Sequence, residues 1–130
     1  LSDQFCVERH KKSFFDLVNN KLDITFANEQ EILSLIDAKN FNEVISFGKQ
    51  LGKLFVITRS EKGSIAIQKN EVVKCDSQKN LKIVDLTGAG DLFAAGFLHG
   101  HINNLSIKES LQKGTEMASK IIQKIGARLN

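Results

Sequence analysis

The sequence predicts an α/β protein with a mostly parallel sheet and helices on both faces, which is a three-layer α/β/α arrangement. Short segments with the pattern of strands alternate along the chain with longer segments of helical periodicity. Leu54–Thr58 is an uninterrupted apolar run up to its last residue, as is typical of a strand buried on both sheet faces. A glycine-rich run at residues 88–91 joins a predicted strand to a predicted helix.

The N-terminal part is predicted to alternate strands and helices. Residues 1–5 are expected to end a strand, and residues 8–19 form an amphipathic helix because apolar side chains recur among charges. Residues 22–26 alternate apolar and polar side chains, which indicates a short strand. A helix over 28–36 follows, and Asn28 is its expected cap. The side chains expected to form the buried face of this helix are Ile32, Leu33 and Leu35.

The remaining elements follow from the same patterns. Gly52 occupies the position of a left-handed cap after a helix over 42–51. The elements predicted beyond Leu54–Thr58 are a hairpin of strands 64–68 and 72–75, a strand 81–84, and helices 92–101 and 106–125. Ser106 and Glu109 have the spacing of a capping box at the start of the last helix. The phenylalanines predicted to lie in the core are Phe14, Phe15, Phe26, Phe55, Phe93 and Phe97.

Composition excludes several classes of protein. The 130 residues, 42% of them hydrophobic and 25% charged, fit one globular domain or part of a larger one. The absence of proline excludes collagen and polyproline motifs. A net charge of +3 permits anionic ligands. The positive residues are mostly lysine rather than arginine, which weighs against a dedicated nucleic-acid binder, because arginine is the better residue for recognising phosphates and bases. No apolar run approaches the ~18 residues of a membrane span, so the protein is expected to be soluble and cytoplasmic, without a membrane partner.

Cysteine use and the first residue add two expectations. Cys6 and Cys75 have no neighbouring ligand cluster, so both are predicted to be free thiols in a reducing compartment. The chain does not begin with methionine, and we expect it to be part of a longer protein.

The chemistry is expected where predicted parallel strands end, because such sheets bind ligands at that edge. The candidate positions there are Asn28, residues 58–63 and residues 85–91. Glycines in the 88–91 run let backbone N–H groups at a helix start approach an anion such as a phosphoryl group. Asp91 would accept a proton from an attacking hydroxyl, or it is only a favourable charge in the first helical turn. The run is neither a Walker motif nor a dinucleotide fingerprint.

Residues 85–93 (Asp-Leu-Thr-Gly-Ala-Gly-Asp-Leu-Phe) resemble the D-T-x-G-A-G-D-x-F signature of the ribokinase-like (PfkB) carbohydrate kinase family. Residues 28–31 match its N-x-x-E magnesium motif, and residues 58–63 resemble its T-x-G-x-x-G nucleotide loop. Gly126-Ala127 fits the end of its last helix. The resemblance implies a ribokinase-like, Rossmann-like fold, and residues 1–5 and 23–31 look most like the adenosine kinase branch.

The resemblance implies transfer of the ATP γ-phosphoryl group to a hydroxyl of a nucleoside or sugar. Adenosine is the first choice of acceptor, followed by ribose, fructose or another nucleoside. In this interpretation Asp91 is the catalytic base, and the backbone N–H groups of Gly88, Ala89, Gly90 and Asp91 form the anion hole. A non-catalytic nucleotide-binding module, or a Rossmann-like domain that binds another small ligand, remains the alternative.

The resemblance also implies a nucleotide site and metal sites. Its ATP-binding residues are Asn28, Thr58, Ser60, Gly63, Gly90, Thr115, Ala118 and Ile122. Magnesium is held, largely through water, by Asn28 and Glu31. Members with a monovalent-cation site such as K⁺ use the positions of Asp85 and Thr87, with carbonyls near Ile121, Lys124 and Gly126.

Two positions depart from the family pattern. Leu86 replaces a threonine of the signature and Ser60 replaces the first glycine of the nucleotide loop, but neither change removes a catalytic side chain.

Four of the candidate site residues and their neighbours also have an ordinary structural interpretation. Asn28 is a helix cap, a metal-shell residue or both, and Glu31 is a solvated first-turn charge or part of the magnesium site. Arg59 and Lys62 are expected to be solvated turn charges.

The resemblance also implies a domain organisation. Residues 1–130 are expected to form the C-terminal ATP-binding and catalytic portion of a single kinase domain, whose N-terminal half is absent from the chain. The chain alone is expected to be inactive, and the whole protein to act on a small molecule and to be able to form a homodimer.

Overall fold

The computed structural model describes residues 11–21, 23–76 and 89–128. The predicted strands at 1–5 and 81–84 lie outside these residues. The helices are α1 (Lys11–Asp16), α2 (Glu29–Leu35), α3 (Phe41–Leu51), α4 (Ala89–Ile102) and α5 (Ile107–Arg128), with a π-helical turn at Leu17–Lys21 and a 3-10 turn at Ser60–Lys62. The strands are β1 (Ile24–Asn28), β2 (Leu54–Thr58), β3 (Ser64–Gln68) and β4 (Glu71–Cys75).

The described residues divide into two compact units. The first contains the chain up to Arg59 together with Ile65–Val72. The second contains Ser60–Ser64 and the chain from Val73 onward. None of the described helices combines the length and apolar character that a membrane-spanning segment needs.

Strands β1 and β2 form the parallel pair of the first unit. Their register pairs Ile24 with Leu54 at one end and Asn28 with Thr58 at the other. The first four residues of β2 are all buried, which confirms the predicted strand. Strand β1 ends at Asn28, whose extended φ and ψ of −88° and 167° let it serve as both the last strand residue and the cap of α2.

The sheet order is β1-β2-β3-β4. The connections from β2 to β3 and from β3 to β4 are too short for the crossover that a parallel pair requires, so these strands run antiparallel to their neighbours. The predicted hairpin is therefore confirmed. Its turn is tighter than expected: β4 begins at Glu71, and Lys69 adopts a φ of 54° in the turn.

Helices α2 and α3 cover the first unit's core. Both predicted helices are confirmed, with Asn28 and Asn40 as N-caps and Gly52 as the left-handed C-cap at a φ of 72°. Ile32 and Leu35 are buried as predicted, whereas Leu33 is only partly buried. The buried core of the unit consists of Val18, Ala27, Ile32, Leu35, Val44, Phe55, Ile57, Ile65 and Ile67.

The helix predicted over 8–19 is not regular where it is described. Helix α1 ends at Asp16 and continues as the π-helical turn Leu17–Lys21. Within this wider turn Val18 is fully buried, and the carbonyl of Asn19 accepts a hydrogen bond from Lys53 Nζ at 3.1 Å. The apolar pattern predicted the helical character correctly, but it contains no information on Lys53, the distant residue that binds the end of the helix.

The phenylalanines do not all lie in the core as predicted. Phe55, Phe93 and Phe97 are buried. Phe14 and Phe26 are half-buried, and Phe15 is exposed with its ring centroid 6.0 Å from that of Phe47. The core prediction for Phe15 is wrong, because a six-residue α1 can turn only part of its surface toward the unit.

Helices α4 and α5 pack against each other in the second unit through two glycines. A Cβ added at Gly96 would lie 2.6 Å from the carbonyl oxygen of Lys113, and one added at Gly114 would lie 2.8 Å from the carbonyl oxygen of Phe93. The two backbones therefore approach more closely than any side chain would allow. Phe93, Phe97 and Leu111 are buried in this unit.

Both helices extend beyond their predicted bounds. Helix α4 starts at Ala89 rather than at residue 92, and α5 reaches Arg128. Ser106 caps α5 as predicted: its Oγ accepts the Glu109 N–H at 3.1 Å and donates to Glu109 Oε1 at 3.0 Å. In the capping box that was predicted, the carboxylate would accept the backbone N–H of Ser106 instead.

The helix contact gives a first prediction. Gly96→Ala should lower the free energy of unfolding of the whole protein by about 2 kcal/mol, since the clash with backbone atoms outweighs the helix propensity that alanine gains. Urea unfolding followed by circular dichroism measures this. Gly90→Ala is the matched control, because a Cβ there meets nothing within 4 Å, and it should not be destabilising. Equal effects of the two substitutions would contradict the close approach.

Candidate functional site

The carboxyl ends of β1 and β2 form one part of the candidate site. The parallel register places Asn28 beside Thr58, so both strands end at the same edge of the sheet. From Asn28 the chain enters α2, and from Thr58 it enters the turn at residues 59–63. The structure thus brings Thr58 of the predicted nucleotide loop beside Asn28, which is bonded to Glu31 within the predicted N-x-x-E motif.

Asn28 and Glu31 form a reciprocal capping box. The Asn28 Oδ1 accepts the backbone N–H of Glu31 at 2.8 Å, and Glu31 Oε1 accepts the backbone N–H of Asn28 at 3.2 Å. Glu31 is only 4% exposed, so its interpretation as a solvated first-turn charge is wrong. The cap interpretation of Asn28 is confirmed, and a metal-shell role for either residue stays a prediction.

The donor atoms here suit magnesium only indirectly. Asn28 Oδ1 and Glu31 Oε1 each already accept a backbone N–H. In the parts of the chain that the structure describes, no group of three or more His, Cys, Asp or Glu side chains could hold a metal ion. Mg²⁺ commonly keeps several waters and takes its remaining ligands from one or two carboxylates and from phosphates. The exposed Asn28 therefore fits a phosphate-bound Mg²⁺ that it contacts through water, whereas the same role for the buried Glu31 stays a prediction.

The predicted nucleotide loop is a tight turn. The Gly63 N–H donates to the Ser60 carbonyl at 3.1 Å across the 3-10 turn. Both residues have left-handed backbones, with φ of 55° at Ser60 and 89° at Gly63. Ser60 stands where the family pattern has glycine, and it adopts the conformation that favours glycine. Lys62 is exposed, in agreement with the expectation for a turn charge.

Arg59 is not the solvated charge that was predicted. Its Nε lies 3.4 Å from Glu29 Oε2 and its Nη2 lies 3.3 Å from Glu29 Oε1. Its Cζ lies 3.6 Å from the centroid of the Phe41 ring. The side chain is only 20% exposed, because it is enclosed by the carboxylate and the ring.

The sequence did contain a signal for this contact. Glu29 and Arg59 immediately follow Asn28 and Thr58, and residues that follow paired ends of parallel strands are neighbours. Their opposite charges make an ion pair the expected outcome. The signal becomes visible only when the two strands are paired with the observed register.

The second unit carries the predicted catalytic residues at the start of α4. Ala89, Gly90 and Asp91 belong to the first turn of this helix, and Gly90 and Asp91 are exposed. Backbone N–H groups in a first helical turn have no partner within the helix, and they lie at its positive end. Gly88, with Asp85, Leu86 and Thr87, lies outside the described residues.

Helix α5 carries the residues predicted to lie near the nucleobase. Thr115 and Ala118 are half-buried, and Thr115 Oγ1 donates to the carbonyl of Leu111 at 2.9 Å. Cys75 is buried and free, as predicted, with its Sγ 3.9 Å from Thr115 Oγ1. Cys6 lies outside the described residues, as do the side chains of Ile121, Ile122 and Lys124. Gly126 and Ala127 lie in the last turn of the helix.

Known proteins are similar to this chain in sequence and in fold. The family model described as pfkB family carbohydrate kinase matches residues 7–130. A cytidine kinase from Thermococcus kodakarensis is 34% identical over 109 residues, which are 82% of this chain and 39% of that protein.

Two solved structures are similar to the chain at a TM-score of 0.90. A probable sugar kinase from Rhizobium etli is 39% identical, and the match covers 96% of this chain and 38% of that one. An adenosine kinase from Sinorhizobium meliloti is 38% identical, with the same coverage of 96% and 38%. These likenesses confirm the predicted fold class. The chain spans about two-fifths of the length of these relatives, as the coverage of 38% and 39% shows.

The capping box gives a second prediction. Asn28→Ala should lower the free energy of unfolding by about 1 kcal/mol, because the N–H of Glu31 loses its acceptor, whereas Asn28→Ser should retain most of the stability. Asn42→Ala, at an exposed position in the first turn of α3, is the control and should change stability by less than about 0.5 kcal/mol. Chemical denaturation of the whole protein measures all three. Equal stabilities of the alanine and serine variants at residue 28 would refute the cap.

The left-handed Ser60 gives a third prediction. Ser60→Gly should raise the free energy of unfolding by about 0.5 kcal/mol, because relief of a left-handed backbone outweighs the added freedom of the unfolded chain. The same substitution at Ser46, exposed within α3, should instead lower stability by about 0.5 kcal/mol. Thermal unfolding of both variants compares the signs. A loss of stability at residue 60 would show that the serine side chain has a stabilising contact there.

Proposed function

The chain belongs to the pfkB family of carbohydrate kinases, and we propose that the whole protein transfers the γ-phosphoryl group of ATP to a hydroxyl of a nucleoside or sugar. Adenosine is the proposed first acceptor, with ribose, fructose or another nucleoside as alternatives. The relatives described as adenosine, cytidine and sugar kinases support this range of acceptors. Residues 1–130 are proposed to be the C-terminal ATP-binding and catalytic part of one kinase domain.

The observation that carries this proposal is the exposed carboxylate of Asp91 in the first turn of α4. A carboxylate repels a phosphate, so a carboxylate at the start of a helix proposed to bind phosphate needs a chemical task that explains its presence. Proton acceptance is such a task. As the acceptor oxygen attacks the γ-phosphorus, Asp91 takes the hydroxyl proton, the bond from the γ-phosphorus to its bridging oxygen breaks, and ADP leaves.

The backbone of the same turn supplies the complementary charge. The N–H groups of Ala89, Gly90 and Asp91, with that of Gly88, are proposed to donate to the transferring phosphoryl oxygens. Gly90 has open space around it, since a Cβ there would meet nothing within 4 Å. Donors that are already oriented need no reorganisation when charge moves, which is the usual source of a large electrostatic contribution.

The ends of β1 and β2 and the turn that follows β2 in the chain are proposed to bind the nucleotide phosphates. Thr58 and the Ser60–Gly63 turn would offer a hydroxyl and backbone N–H groups, as the family's nucleotide loop implies. Asn28 is exposed, and its amide nitrogen is a donor suited to a phosphate oxygen or a metal-bound water. Mg²⁺, when bound, neutralises charge on the phosphates, and Asn28 and Glu31 would contact it through water. Thr115, Ala118 and Ile122 are proposed to lie near the base.

The fourth prediction tests the proposed base. Asp91→Asn in the whole protein should lower kcat by about 10³-fold and leave the KM for ATP nearly unchanged, because the amide is similar in size but is not a base. Glu109→Gln is the control: it makes the corresponding change at an exposed first-turn position, in α5. It should retain full turnover. Initial rates with adenosine and a panel of sugars measure both.

Two outcomes would contradict the proposal. Unchanged turnover by the Asp91→Asn variant would remove Asp91 from the role of base. ATP binding by the unmodified protein without turnover of any acceptor in the panel would favour a non-catalytic nucleotide-binding module.

A further inference from the structure

Arg59 is held on two sides by residues that begin two different helices. Glu29 is the first residue of α2 and contacts two nitrogens of the guanidinium. Phe41 is the first residue of α3, and its ring lies 3.6 Å below the guanidinium carbon. Arg59 itself directly follows β2. One side chain therefore joins the end of β2 to the starts of α2 and α3.

Arg59 is linked to the capping box through Glu29, the residue next to Asn28 in the chain. Glu29 directly follows Asn28, the cap whose side chain accepts the N–H of Glu31. On the other strand Arg59 lies between Thr58 and Ser60, both residues of the proposed nucleotide loop. The pair thus ties the capping box to the end of β2, in addition to the backbone register that pairs Asn28 with Thr58.

We propose that Arg59 is a positioning residue for nucleotide binding, which holds the Asn28–Glu31 capping box in place beside Thr58 at the paired ends of β1 and β2. This inference rests on the proposed function, because it assigns the two segments to one nucleotide. Arginine suits the task because its planar guanidinium forks onto a carboxylate and stacks on a ring at the same time. Lysine has the charge but neither the fork nor the plane.

A different role would be cancellation of charge. Glu29 is an acidic residue in the first turn of α2, and an unpaired carboxylate there would repel the phosphates of ATP. In that case any cation at residue 59 would serve, and removing the Glu29 charge would favour nucleotide binding. The two roles predict opposite results for conservative substitutions.

The fifth prediction concerns kinetics of the whole protein. Arg59→Lys and Arg59→Met should both raise the KM for ATP roughly tenfold and leave the KM for the acceptor unchanged, because a small misplacement of binding groups is costly. Glu29→Gln should raise the KM for ATP as well, since it breaks the ion pair. Asp37→Asn, which removes the ion pair of Lys11 with Asp37 in the same unit, is the control and should leave both constants unchanged.

The kinetic outcomes decide between the two roles. A wild-type KM for ATP in Arg59→Lys, or a lowered KM in Glu29→Gln, would overturn the positioning role in favour of charge cancellation. An unchanged KM for ATP in all three variants would also overturn it. Equal increases in the KM for ATP and for the acceptor would do the same, because they would indicate general damage to the fold.

Amide hydrogen exchange tests the positioning independently of activity. The Glu31 N–H is bonded to the cap, so its protection should fall roughly tenfold in Arg59→Lys and Glu29→Gln but not in Asp37→Asn. Unchanged protection would overturn the inference even if the enzyme is active. Reduced protection in a protein that phosphorylates no acceptor would support the positioning of the cap by Arg59 while the proposed function fails.

Discussion

The parallel register of β1 and β2 is the constraint on which the first unit depends. Because Asn28 pairs with Thr58, the two strands end at the same level, and the residues that follow them meet. The capping box and the Glu29–Arg59 pair both start from these two positions. A shift of one residue would turn each side chain of one strand to the opposite face and would separate these features. The first four of the five residues of β2 are buried, so such a shift would disrupt the packing on both faces of this strand.

Patterns local to a segment predicted most of the elements correctly. The buried strand at Leu54–Thr58, the helix closed by Gly52 and the hairpin after Gly63 depend on neighbouring residues, and all three are present. The predictions failed where a distant partner decides the outcome. The π-helical turn at Leu17–Lys21 contains an Asn19 carbonyl that accepts a hydrogen bond from Lys53, and this contact is not visible from the periodicity of residues 8–19.

The same distinction applies to the candidate site. Asn28, Glu31 and Thr58 were predicted from short motifs, and the structure brings them together. The environment of Arg59 was predicted wrongly, because it depends on strand pairing and on the start of α3 at Phe41. The roles of Asp91, Thr115 and Ala118 were assigned by resemblance to a family, and they stay predictions for experiment to decide.

Asn28 and Glu31 build the first turn of α2 with atoms that the proposed site would also use. A relative that had lost its catalytic activity would therefore still be selected to keep this pair, as long as it had to fold. The N-x-x-E motif is for that reason a poor marker for separating working enzymes from inactive homologues. The position of Asp91 is the more informative one, because an exposed carboxylate in a helix's first turn contributes little to folding and is free to drift once its chemistry is no longer needed. Surveys of inactive members of the family should therefore start from that position.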